Sequence, residues 1–278
     1  MKLPMPVIIS DKKYTEVELK EASAEIVANV VKDVDRGAFY DALLTWCVGV
    51  IDYFVTDNDE QISDKSEVRQ IARSLPFLSA YAVTMYGMAK TQNKDEIRGK
   101  YLCPDCGTAV FVNDDTGLDS LSELEILYID DPKPIEIKLS TPVKIYDKSD
   151  KLLYEIESIT MNYPTLKDCI KGFSQYPDDT GRMQFATYSE ALATVNGQVQ
   201  TPAWHATFGV MLFGKMRFRD IDTIGTSISK YGVVTTRERV CPKCFSHWDA
   251  EVDLYAFFGS GLKGKSRGQQ HSLGRFGA

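Results

Sequence analysis

Two short stretches, "YLCPDCGTAVFV" at residues 101–112 and "RVCPKCFSHWDAEV" at residues 239–252, carry the same device: a Cys-Pro-x-Cys turn followed by alternating apolar residues. Proline after the first cysteine favours a turn that brings both thiols to one side. Backbone N–H groups in such a turn can stabilise thiolate charge. Together Cys103, Cys106, Cys241 and Cys244 supply four sulfurs. That number matches the tetrahedral demand of a structural zinc, with Zn–S bonds of about 2.3 Å. Four cysteines also suit an iron–sulfur cluster. Val110 and Val112 behind the first turn, and Trp248, Ala250 and Val252 behind the second, predict a short strand beside each. The first cysteines of the two turns are 138 positions apart. A zinc ribbon places its second pair only about fifteen to twenty residues after the first.

Comparing the two halves gives that distance a meaning. "MPVIISDKKYTEVELKEAS" at 5–23 is similar to "TPVKIYDKSDKLLYEIESI" at 141–159. Pro6-Val7 falls on Pro142-Val143, and Asp11-Lys12 on Asp147-Lys148. A helical stripe follows in each half. One is Ile26, Val27, Val30, Val31 and Val34; the other is Leu166, Cys169, Ile170 and Phe173. Thr165 and Asp168 have the spacing of a capping pair. Further on, "LPFLSAYAVTMYGMAK" at 75–90 pairs with "TPAWHATFGVMLFGKMRF" at 201–218, with "DIDTIGTSISKYG" at 220–232 as an insertion. Each half then reaches its Cys-Pro-x-Cys turn. The shared order favours a tandem duplication.

The expected fold class is therefore α+β: two duplicated, helix-rich modules, each with short β segments and one knuckle, joined at a shared zinc-ribbon-like site. Module A spans 1–112, an acidic linker 113–136, module B 137–258 and a tail 259–278. The linker holds eight acidic residues against one lysine, so it carries the equivalent of the whole net charge of −7. Its "LEILYI" is a candidate edge strand, and "DDPKP" should end it. The tail has six glycines and four basic residues, and little apolar content with which to build a core.

The negative balance argues against a broad nucleic-acid surface. No apolar run reaches the roughly eighteen residues of a membrane span; "GAFYDALLTWCVGVIDYFV" is interrupted by Asp41 and Asp52. The N-terminus lacks a signal-peptide core, so folding is expected in a reducing cytoplasm. There the knuckles read as metal or redox sites before structural disulfides, and Cys47 and Cys169 read as ordinary buried thiols.

No catalytic constellation is expected. No phosphate-binding loop, GxGxxG, HExxH or GxSxG is expected, no nucleophile–base pair stands out, and no small-molecule substrate is implied. His205, between Trp204 and an apolar helix, reads as a packed or boundary histidine. His247 could replace a sulfur at the metal site, but reads first as a surface neighbour on the following strand. Tyr81, Tyr86, Phe208, Phe213 and Phe218 have the spacing of core residues. Tyr255, Phe257 and Phe258 are different, because they directly precede the basic Lys263, Lys265 and Arg267. These six residues are candidates for docking another subunit, where aromatics are enriched.

"CPKCFSHWDAEVDLYAFFG" at 241–259 and "ESITMNYPTLKDCIKGF" at 157–173 resemble the baseplate hub and tail-assembly proteins of T-even-like contractile-tailed bacteriophages. The resemblance covers mainly residues 150–260. The chain departs from the family's simpler pattern in carrying a second knuckle. The resemblance implies a structural or assembly component of a phage tail baseplate, put together in the host cytoplasm and resident in the virion tail. Its partners would be other baseplate or tail proteins. The knuckles and basic tail also fit a zinc-ribbon nucleic-acid-binding regulator, and the Cys-Pro-x-Cys chemistry a redox protein.

Overall fold

The computed structural model describes residues 1–92, 96–98, 100–111, 118–120, 125–234 and 236–251. Within them helices and antiparallel strands are mixed, as the α+β expectation has it.

The first half opens with a hairpin, β1 (Lys2–Ile9) and β2 (Lys12–Leu19). Its two turn residues, Ser10 and Asp11, both take positive φ, the geometry that matches strand twist in a two-residue turn. Helix α1 (Ala24–Asp35) is capped by Ser23, whose side chain accepts from the Ile26 N–H. Helix α2 (Phe39–Val50) runs into β3 (Ile51–Thr56) with no residue between them. Then come β4 (Gln61–Ile62), α3 (Lys65–Arg73) under an Asp64 cap, and α4 (Phe77–Gln92). The strands form one antiparallel sheet in the order β1-β2-β3-β4.

Short strands follow α4: β5 (Glu96–Arg98), β6 (Lys100–Leu102), β7 (Ala109–Phe111), β8 (Leu118–Ser120) and β9 (Ile126–Leu127). β6 pairs with β7, and β5 with β8.

The second half again begins with a hairpin, β10 (Ile135–Tyr146) and β11 (Leu152–Met161). Helix α5 (Leu166–Gln175) starts at the anticipated Thr165–Asp168 capping box. Thr165 N–H and Oγ1 donate to Asp168 Oδ2 at 2.9 and 2.7 Å. Helix α6 (Thr180–Ala191) passes directly into β12 (Leu192–Val195), which pairs with β11. Helix α7 (Pro202–Trp204), capped by Thr201, continues through a π-helical turn (His205–Gly209) into α8 (Val210–Lys215). After α9 (Phe218–Ser229) come β13 (Gly232–Val233), β14 (Thr236–Val240) and β15 (His247–Glu251). β13 pairs with β9, so the expected edge strand of the acidic segment exists over Ile126–Leu127.

Both halves thus run hairpin, two helices, third antiparallel strand, two helical stretches, knuckle. One tether recurs as well. The register of β1 against β2 slips between Lys2 and Val7, and that of β10 against β11 between Lys138 and Val143. At the first slip, Ser79 Oγ accepts from Met5 N–H and donates to Met5 C=O, each at 3.1 Å. At the second, the buried Asp220 carboxylate accepts from Ser140 N–H and Oγ at 3.0 and 2.9 Å. Ser79 and Asp220 are each the third residue of the fourth helical stretch in their half.

The two segments paired in the sequence, 75–90 and 201–218, stand at different places in the order of helices. Residues 77–92 form the fourth helical stretch of the first half, whereas 202–215 form the third of the second. By order, α9 is the fourth helical stretch of the second half as α4 is of the first. The apolar compositions of α4 and α8 are alike, but position in the chain distinguishes them.

Two large cores form. The first gathers β1–β3 and α1–α4, with Leu166, Cys169, Met183 and Val233 from the second half. The second lies between β10–β12 and the helices α6 to α9. Cys47 and Cys169 are buried as expected, and burial pushes the Cys47 thiol up to about 12. Two core expectations fail. Val31 is half-buried but outside the first core, while Ile26, Val27, Val30 and Val34 pack into it. Phe218 is 78% exposed, because α9 turns Ile221, Ile224 and Ile228 to the core and its first residue lies beyond them.

Candidate metal centre

Each knuckle is the tip of a hairpin. The first joins β6 to β7, where Leu102 faces Ala109; the second joins β14 to β15, where Val240 faces His247. The two tips are built alike. Cys103 C=O accepts from Gly107 N–H at 2.9 Å, and Cys241 C=O from Phe245 N–H at 2.9 Å. Cys103 N–H donates to Thr108 C=O at 2.9 Å, and Cys241 N–H to Ser246 C=O at 3.0 Å. Gly107 and Phe245, the residues after each second cysteine, take left-handed φ of 66° and 59°. Such a turn leaves both sulfurs of a pair on one side.

The tips meet. Cys103 Sγ lies 3.5 Å from Cys244 Sγ, and Cys106 Sγ 3.6 Å from Cys241 Sγ. All four sulfurs lie within 4.8 Å of one another. Tetrahedral Zn–S bonds of 2.3 Å require sulfur–sulfur edges of about 3.8 Å, so the four side chains can hold a metal ion such as zinc. Cys103 and Cys241 are buried, whereas Cys106 and Cys244 are exposed. The buried pair packs with Val110 into a small apolar cluster against which Trp248 rests.

Polar neighbours favour thiolate at two sulfurs. Ser246 Oγ lies 3.2 Å from Cys103 Sγ. This hydroxyl, helped by the backbone N–H groups of Cys106 and Asp105, lowers the Cys103 thiol to about 6. Thr108, through its hydroxyl at 3.1 Å and its N–H, lowers Cys106. Desolvation has the opposite effect on Cys241 and raises it to about 11. A cation at the centre would favour thiolate at all four.

His247 does not join the four sulfurs as a replacement ligand. Its Nδ1 is 2.8 Å from Glu238 Oε1 across the hairpin. His205 is a boundary residue as expected, with Nδ1 3.0 Å from Ser189 C=O. That carbonyl can only accept, so Nδ1 carries the proton. Val112, Val252, Tyr255, Phe257, Phe258, Lys263, Lys265 and Arg267 lie outside the described residues. So does one stretch that runs against the expectation of no phosphate-binding loop. "GSGLKGKS" at 259–266 has the G-x4-G-K-S spacing of a phosphate-binding loop. The residues behind it, "RGQQHSLGRFGA", lack the apolar stripe of the helix that such a loop opens.

Among the described residues no helix is long and apolar enough to cross a membrane. Comparison of the chain with protein-family models, curated proteins and solved structures finds no match.

Proposed function

We propose that this chain is a non-catalytic assembly protein made of two copies of one module, stapled by a single structural zinc. The observation that carries the reading is the meeting of four sulfurs within 4.8 Å from knuckles 138 positions apart. Duplication is supported by the matching order of elements, the loopless passage from α2 to β3 and from α6 to β12, and the Ser79 and Asp220 tethers. An ion held by Cys103, Cys106, Cys241 and Cys244 closes a very long loop and adds its binding free energy to folding. Four protein ligands leave no coordination position for water, which suits a structural site.

The place of assembly comes from the resemblance at 157–173 and 241–259: a hub-like subunit of a contractile phage-tail baseplate, working through contacts with other tail proteins. Native mass spectrometry with and without a chelator tests the metal. One zinc per chain is expected; iron with sulfide, or no metal at all, would overturn that part. Antibody detection in virions and assembly intermediates tests the place, and absence from both removes it. Salt-sensitive binding of DNA or RNA would favour the regulator reading instead.

A further inference from the structure

The chain contains an interface between its halves, and counterparts of both partners to that interface recur elsewhere in the molecule. Leu75, Pro76 and Phe77 form the corner between α3 and α4. Residues 164–166 lie against it. Phe77 N–H donates to Pro164 C=O at 2.9 Å, Leu166 N–H donates to Leu75 C=O at 3.0 Å, and Pro76 and Thr165 form an antiparallel bridge. From there α5 runs over the first half. Leu166 is buried, Ile170 and Phe173 pack on the first core, and the Phe173 ring stands 6.1 Å from that of Tyr40.

The corner recurs as Met216, Arg217 and Phe218. Backbone bonds set the correspondence. Ser79 and Ala80 N–H donate to Pro76 C=O at 2.9 and 3.0 Å; Asp220 and Ile221 N–H donate to Arg217 C=O at 2.9 and 3.2 Å. Phe77 is half-buried under the second half, but Phe218 is 78% exposed. Among the described residues, no backbone group outside α9 pairs with Phe218 N–H or Met216 C=O. The second corner is a seat with nothing described upon it.

The incoming segment recurs too. The caps Thr165 and Ser23 align Leu166, Ile170 and Phe173 with Ala24, Ala28 and Val31. Ala24 and Ala28 are exposed, and Val31 lies outside the core that takes Ile26, Val27, Val30 and Val34 of the same helix. Around the two capping ends the charges are opposite, while Lys20 near Ser23 is paired with Asp52 at 3.1 Å and Lys32 lies one turn beyond Ala28. Lys215, Arg217 and Arg219 are exposed about the vacant corner, and Glu21 and Glu25 are exposed about Ser23. Opposite charges of this kind steer encounter and set orientation.

We propose that Met216–Phe218 of one molecule receives Ala22–Ala24 and the outer face of α1 from a second copy. The contact repeats between molecules the one that the halves make within a molecule. It deepens the assembly reading by naming a partner, and it rests on the correspondence of the halves, not on the metal. Such a contact is head-to-tail, so it grows into a ring or a filament, in contrast to a twofold dimer.

Native mass spectrometry and light scattering of the full-length protein over a concentration series test this. Phe218→Asp and Ala28→Arg replace exposed residues, one on each side of the contact. Wild-type protein should pass from monomer to species larger than a dimer as concentration rises. Either variant alone should weaken association about tenfold or more. Mixed one to one, the variants retain one intact contact between them, so they should form a dimer and nothing larger. A wild type that stays monomeric, oligomers that both substitutions leave intact, or a mixture that fails to dimerise would each overturn the proposal. The same spectra count zinc. One zinc per chain without self-association removes this interface and leaves the metal reading standing, whereas zinc-free chains remove the latter.

Discussion

Cys103 Sγ and Cys244 Sγ stand 3.5 Å apart although 141 positions separate them in the chain. Cys106 Sγ and Cys241 Sγ stand 3.6 Å apart across the same gap, and each hairpin supplies two of the four sulfurs, so neither completes a four-sulfur site by itself. Replacing Cys244 or Cys103 by serine should release the metal, and the melting temperature should fall by about 10 °C or more, the equivalent of several kcal/mol in a chain of this size. Metal analysis and a thermal melt check it. A variant that keeps full zinc and full stability would show that the site is not shared.

Thiol labelling should sort the six cysteines into two groups. With chelator present, the four knuckle cysteines should react under native conditions. Cys47 and Cys169 should not, because both are buried and burial raises both thiols. Mass mapping of the labelled sites gives the answer directly. Rapid labelling of the knuckles in the zinc-loaded protein would instead favour redox chemistry.

Phe245 and Gly107 occupy equivalent left-handed positions, with different consequences. A non-glycine residue there costs about 1–2 kcal/mol. The Phe245 ring is 72% exposed and recovers little of that by burial. Phe245→Gly should stabilise the protein by about 1 kcal/mol. Gly107→Ala should destabilise it by a similar amount, although its Cβ would meet nothing within 4 Å. Denaturant melts of the zinc-loaded variants measure both, and equal, unshifted midpoints would count against the strain.

Gly209 marks a close crossing between the π-helical turn and α6. A Cβ there would fall 1.7 Å from Ser189 Oγ and 2.8 Å from Ser189 Cβ. Gly209→Ala should cost about 1–3 kcal/mol. Adding Ser189→Gly should recover much of that beyond its own helical cost, because it removes both clashing atoms. A double-mutant cycle reads the coupling, and strict additivity would refute the clash.

Burial raises the Asp168 carboxyl above its ordinary value. The Thr165 N–H and hydroxyl oppose the shift, Glu190 adds to it, and Lys167 opposes it. A carboxyl raised on folding contributes stability that is complete below its unfolded pKa and is lost as pH rises through the folded value. Asp168→Asn keeps an acceptor for Thr165, so it should match or exceed wild-type stability at neutral pH. Its relative advantage should shrink in acid. Asp168→Ala loses the acceptor and should cost about 1 kcal/mol at neutral pH. Melts at several pH values test this, and an Asn variant that is weaker at neutral pH than in acid would reverse the sign.

Much of the local structure is legible in residue order. Cys-Pro-x-Cys marks both hairpin tips, the Thr165–Asp168 pair marks the start of α5, and Asp11-Lys12 and Asp147-Lys148 fall at the turns of the two long hairpins. Caps, turns and knuckles are bonds among residues a few positions apart, so spacing alone specifies them. Helix order is harder to read. Both α4 and the α7–α8 stretch are Pro-led and apolar, and apolar composition does not say which neighbour a helix will meet.

The contacts that matter most for function come from packing in three dimensions. Nothing near Cys103 in the chain announces Cys244, and Phe218 has the same apolar character as Phe77. Phe77 is covered because residues 164–166 reach it, and Phe218 is exposed because no described segment does. Burial is a property of what arrives from elsewhere in the fold. A sequence can therefore supply four matching cysteines and two matching corners, while the folded chain brings the cysteines together and covers only one of the corners.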